Sequence, residues 1–121
     1  MNLVTSTSEF EYDGLIADAS IPVLKAVVSI ESGQGVLLRG SVLGKAADGK
    51  VILVGGTTVA TAEYILADDV DTGTVVGTPI RVITYASGAF NRFALIIEGA
   101  GKIDEHEADL KKFGLYLKAV L

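Results

Sequence analysis

Glycine limits this chain more than any other residue. Fourteen glycines are spread through 121 residues, and the sequence between them consists mostly of short runs of strand-forming residues. The longest clean apolar runs, at 51–54 and 93–97, fall far below the roughly 18 apolar residues a membrane-spanning helix needs. Glycine inside strand-rich sequence marks bulges and sharp bends. The expectation is one mainly β domain with a bent sheet, large enough to bury roughly two-thirds of its unfolded surface.

The strand pattern can be followed along the chain. Ile21-Pro22 opens a segment in which residues 23–30 read as a strand, with Lys25 and Ser29 outward. Gly33-Gln34-Gly35 is a tight turn, and residues 36–44 form a strand that bulges or bends at Gly40. Asp48-Gly49 is a hairpin signal that returns the chain as residues 50–54. β character restarts over 57–66, and an acidic turn follows at 68–73. Pro79 opens a strand at 80–85 that bends at Ser87-Gly88 and continues through 91–97. The one helix is expected over 105–113. Asp104 and Glu107 form a capping-box-like pair at its start, acids lie early, Lys111-Lys112 late, and Gly114 stops it. Leu115-Tyr116-Leu117 leaves as a last extended segment.

Residues 1–20 differ in character and are assigned to an N-terminal arm, with residues 21–121 as the single domain. Glu9-Phe10-Glu11-Tyr12 alternates acid with aromatic, which places Phe10 and Tyr12 on one side of an extended segment and both glutamates on the other. Such a strand has no partner nearby in sequence. It either folds back on its own domain or adds to a neighbouring chain.

Half the residues are hydrophobic and the mean hydropathy is +0.48, high for a small domain. The surplus goes either into contacts with other chains or into a small, well-filled β core. Ten basic residues oppose fifteen acidic ones, a net charge of −5, and the basic residues stand singly apart from Lys111-Lys112. Nucleic-acid surfaces need clustered Lys and Arg, so direct nucleic-acid binding is not expected. The first basic residue is Lys25, which leaves no charged start for a secretory signal. Cysteine is absent, and with it disulfides, thiolate metal sites and thiol nucleophiles.

No catalytic constellation emerges. Gly33-x-Gly35 is followed by strand rather than helix, so it is a turn and not a phosphate loop. Asp68, Asp69 and Asp71 lack the spacing and distant glutamate of a calcium loop and read as a turn with Asx hydrogen bonds. His106 is the sole histidine, a surface position in the first helical turn. Arg92, between Phe90 and Phe93, either pairs across an interface or points outward from a strand beside a core aromatic. The expectation is a protein that is not an enzyme and takes no cofactor or metal.

Four elements in order carry a family resemblance over residues 33–118. They are Gly35-x4-Gly40-Ser41-Val42-Leu43-Gly44-Lys45, then Ile65-Leu66-Ala67-Asp68-Asp69-Val70-Asp71-Thr72, then Gly88-Ala89-Phe90-Asn91-Arg92, and Leu110-x2-Phe113-Gly114-Leu115-Tyr116-Leu117-Lys118. In these the chain resembles the bacteriophage head decoration family typified by the lambda capsid-stabilising protein. The resemblance implies a β-clip-like bent sheet or incomplete barrel, with an extended N-terminal arm and one short C-terminal helix. It also implies a protein made in the host cytoplasm that forms homotrimers on the outer surface of the phage head, at threefold and quasi-threefold positions. Its partners would be the major capsid protein and further copies of itself, with no membrane involved. Phe10 and Tyr12, assisted by Leu15 and Ile16, are the candidate arm anchors on the capsid. Phe90, Asn91 and Arg92 are candidates for the trimer or capsid interface. Another small oligomeric virion component, a tail-tube or head-completion protein, is the alternative. A trimeric nucleotide hydrolase of the dUTPase kind would need a glycine-rich C-terminal arm, whereas this C-terminus reads Lys-Ala-Val-Leu.

Overall fold

A computed structural model describes residues 14–18, 21–55, 60–98 and 103–119. Phe10 and Tyr12 lie outside these residues. The described chain is mainly β, with open sheets not closed into a barrel and one short helix. Its strands are β1 (Ile16–Asp18), β2 (Leu24–Ile30), β3 (Val36–Leu37), β4 (Val42–Ala46), β5 (Val51–Leu53), β6 (Ala60–Leu66), β7 (Val70–Asp71), β8 (Ile80–Asn91) and β9 (Leu115–Lys118). Seven of them form one sheet, while β3 and β7 pair as a separate ribbon.

β8 organises the sheet. Its first half pairs antiparallel with β2, from Ile30 opposite Ile80 to Lys25 opposite Tyr85, and with β6 through Ile65–Tyr85 and Leu66–Thr84. Its second half changes partners, pairing antiparallel with β1 and parallel with β9. Gly88 stands at the changeover with φ +140°, where an added Cβ would press on the Phe90 ring. This is where the sequence pattern placed the bend. The Asp48-Gly49 turn likewise closes the expected β4–β5 hairpin.

The sheet buries both faces. On β4 and β6, adjacent residues enter different cores: Val42 and Ile65 join Leu15, Phe90, Leu110, Leu115 and Leu117, while Leu43 and Leu66 join Ile30, Leu37, Val51 and Val82. A strand covered on both sides needs apolar residues at consecutive positions rather than in alternation, which accounts for Val42-Leu43 and Ile65-Leu66. The strands also approach closely. A Cβ on Gly44 would fall inside van der Waals contact with the Thr61 carbonyl oxygen and with Val54.

Four expected elements differ. The strand expected over 36–44 divides at a turn through Gly40 (φ +97°) into β3, in the ribbon with β7, and β4, in the main sheet. The strand through 91–97 ends at Asn91, and residues Arg92–Ala94 form a 3₁₀ turn. Asn91 Oδ1 accepts the Phe93 N–H at 3.2 Å, which turns the chain out of the ladder. The helix expected over 105–113 is a 3₁₀ turn at Ile103–His106 followed by α1, Glu107–Lys112. Asp104 is not its cap. His106 occupies the N-cap without a side-chain hydrogen bond, because Arg92 engages both Asp104 and Glu107. The last extended segment, β9, joins the sheet parallel to β8. The helix does end at Gly114, whose N–H donates to the Lys111 carbonyl at 3.1 Å.

Gly44→Ala is expected to destabilise the domain by about 3 kcal/mol, the upper end of ordinary overpacking costs. A urea titration reads this as a lowered midpoint. An unchanged midpoint would mean that β4 and β6 do not pack this closely.

Candidate functional site

The anchors expected from sequence separate into buried and outward positions. Leu15 is 1% exposed and sits in the first core of its own domain. Ile16, opposite Phe90 in β1, is half-buried. The last residues of the segment assigned to the arm are therefore part of the sheet. Phe90 is fully buried, its ring centroid 5.2 Å from that of Tyr85. Asn91 is buried too; its N–H donates to the Leu15 carbonyl at 2.8 Å while its side chain caps the 3₁₀ turn.

Arg92 forms an intrachain bridge. One guanidinium nitrogen lies 2.7 Å from Asp104 Oδ1 and the other 3.0 Å from Glu107 Oε2. The hydrogen bond to Glu107 leads in holding the guanidinium above its already high ordinary pKa. The bridge fixes the end of β8 against the start of α1 and, with the Asn91 cap, holds the start of the 3₁₀ turn; beyond the turn the Ile96 N–H donates to the Gly40 carbonyl and its carbonyl accepts the Val42 N–H.

That turn presents Phe93, which is 64% exposed. Sequence reasoning passed over this residue, because a strand through 91–97 gave no reason to single it out. The signal was the Phe90-Asn91-Arg92-Phe93 order itself, since Asn is a strong capping residue that favours leaving a strand. A held aromatic suits an interface anchor, because little conformational entropy remains to be lost on binding. A second apolar feature is the loop tip Val75-Val76, where Val75 is 78% exposed. The loop is tied to residue 32 by the Gly77 N–H, which donates to Ser32 Oγ at 2.7 Å.

The acidic turn is used structurally. Asp69 Oδ1 accepts the Arg39 N–H at 2.7 Å, and Asp71 Oδ1 accepts the Gly73 N–H at 2.9 Å in the expected Asx manner. Among the described residues no group of three His, Asp or Glu side chains is placed to hold a metal ion, and no helix is long and apolar enough to cross a membrane. Lys118 Nζ reaches Asp18 Oδ2 at 2.7 Å, joining β9 to β1 across β8. On β6, burial pushes the Tyr64 phenol up to about 12, and the hydrogen bond and charge of Glu63 add to the shift.

The described residues form an open sheet with two cores, a 3₁₀ turn that exposes Phe93 and an apolar loop tip at Val75-Val76. The family model described as bacteriophage lambda head decoration protein D matches residues 4–115, and the chain belongs to that family. It is a phage head decoration protein, a virion component associated with the capsid. No individual curated protein matches it.

Arg92→Ala is expected to free α1 while leaving the sheet intact. Hydrogen exchange should speed up over 103–112 and stay unchanged in β4 and β6; uniform acceleration would contradict a local clamp. Tyr64 gives a pH prediction. Its phenol ionises near 10.0 when unfolded and near 12 when folded. The neutral phenol thus contributes stability in full below about pH 10, and that contribution is lost as pH rises through about 12. Ultraviolet tyrosinate titration of the folded protein should show a late phenol that Tyr64→Phe removes.

Proposed function

We propose that the protein decorates the outer surface of the expanded phage head as a trimer, at threefold and quasi-threefold sites, and stabilises the shell against the pressure of packaged DNA. The observation that carries this reading is the amount of large apolar side chain left on the surface of a domain whose own cores are already filled, with Phe93 foremost. A face of this kind is buried when copies and lattice come together. Stabilisation then follows from linkage. A protein that binds the expanded lattice and not its precursor shifts the balance towards the expanded form. Many copies, each contributing about 3 kcal/mol at a hundredfold excess over its dissociation constant, sum to a large resistance.

In this reading Phe10 and Tyr12 anchor the arm on the major capsid protein. Leu15 and Ile16 set where the arm leaves the domain, since their side chains belong to the core and sheet. Phe93, held by Asn91 and Arg92, is the outward member of the second contact.

Co-sedimentation with expanded undecorated heads and with unexpanded precursor heads tests this. Saturable binding to expanded heads alone, in multiples of three per site, is the expected result; binding to neither would sink it. Phe93→Ala should weaken head binding by roughly thirtyfold, the effect of losing an anchor worth about 2 kcal/mol. The Phe10→Ala, Tyr12→Ala pair should lower occupancy independently, and unchanged occupancy would remove the arm from the contact.

A further inference from the structure

β2 is an edge strand with an unusual surface. It pairs with β8 on one side, and among the described residues no strand pairs with its other side. On one face Val27 stands opposite Ile83, and these are 58% and 43% exposed. Lys25 lies at one end of this apolar pair and Arg81, opposite Ser29, at the other. Neither cation has a carboxylate partner among the described residues. Lys25 Nζ sits instead 5.9 Å from the centre of the Tyr85 ring. On the other face Ala26 and Val28 are only half-buried, and Val28 packs at the margin of the second core. A seven-residue edge this apolar invites uncontrolled pairing unless something covers it.

The chain carries a segment of complementary chemistry, Glu9-Phe10-Glu11-Tyr12-Asp13. As an added strand it would present three acids on one face and two aromatics on the other. We propose that, in the free protein, this segment of a second copy adds to the open edge of β2 with Glu11 opposite Val27. In either strand direction Glu9 and Asp13 then fall opposite Lys25 and Ser29, the latter beside Arg81. Phe10 and Tyr12 fall beside Ala26 and Val28 and cover the half-buried margin of the sheet there.

The donor is a second copy because of where β1 leads. β1 runs antiparallel to β8, and the Leu15 carbonyl accepts the Asn91 N–H, so the chain leaves at the end of β8 remote from β2. Ile83 lies eight residues back along β8 from Asn91. Even with a right-angle bend at Gly88 that separation is about 19 Å at roughly 3.3 Å per residue. From Gly14 to residue 11 the chain spans at most about 11 Å. Each copy gives one arm and receives one, so the exchange leaves no edge open when it closes as a reciprocal pair or a ring. The exchange rests on the decoration reading in one respect: on the head, the capsid takes over the arm from the neighbouring copy.

The test uses free, full-length protein and no heads, so its failure leaves head binding standing. The absence of cysteine makes engineered thiols unambiguous. Residues directly opposite across an antiparallel pair have Cα atoms about 4.5–5.5 Å apart, within disulfide range. A Glu11→Cys variant is mixed with a Val27→Cys variant and oxidised, with Asp48→Cys at the exposed hairpin tip replacing Val27→Cys as control. The expected result is a mixed disulfide dimer formed at least tenfold faster than the control. Lys25→Glu with Arg81→Glu in the Val27→Cys partner should remove that excess, and Glu9→Lys with Asp13→Lys in the other should restore it. A rate equal to the control overturns the proposal. So does a single-chain Glu11→Cys, Val27→Cys variant that closes its disulfide within one chain while the mixture gives none.

Discussion

The structure depends on one strand serving two half-sheets. β8 is twelve residues long, and its partners come from residues 16–18, 24–30, 65–66 and 115–118, nearly the full length of the chain. No stretch of local sequence completes either half. The first core closes only when Leu15 from near the start and Leu110, Leu115 and Leu117 from near the end reach Phe90. Topology of this kind folds slowly, because loop closure must be met before the contacts that reward it. It also makes the domain cohesive, since β1, β2, β6 and β9 all converge on the same backbone.

Much of this was legible in the sequence where a local rule had no competitor. Asp48-Gly49 marked its hairpin, Gly88 marked the bend in β8, Gly114 stopped the helix, and Lys25 and Ser29 pointed outward on β2. The failures came where a tertiary partner overrode the local rule. Asp104 and Glu107 have the spacing of a capping pair, yet a guanidinium twelve and fifteen residues earlier in the chain engages both. β9 reads as an extended tail, and nothing in its four residues reports a parallel partner more than twenty residues upstream. For the proposed contact, a neighbourhood was legible in the sequence and the exposed side chain within it was not. The 90–92 segment was singled out, but burial reserves Phe90 for the core, and the side chain turned outward is Phe93.

The high hydropathy had two readings: the buried cores account for one, and the apolar side chains left outside are what the other would draw on. A sheet covered on both faces consumes apolar residues at consecutive positions of β4 and β6, and apolar side chains still remain outside on the 3₁₀ turn, the 75–76 tip and β2. For a head decoration protein this division is economical. The filled cores keep the domain rigid before it meets the capsid, so association need not order it. On the 3₁₀ turn and the 75–76 tip the apolar surface that remains sits on short, tied segments, which limits indiscriminate sticking there.

The way β1 joins the domain has a mechanical consequence. β1 lies antiparallel along the end of β8, Leu15 beside it is sunk in the core, and Asp18 is clasped by Lys118 from the opposite neighbour of β8. A pull on β1 along its own length therefore acts parallel to the strands. It loads the β1–β8 hydrogen bonds, the Leu15 plug and the Asp18–Lys118 clasp together in shear, whereas a perpendicular pull would open them one at a time. Under the proposed arm contact, a shell that swells or strains would thus meet a tether that resists as a unit.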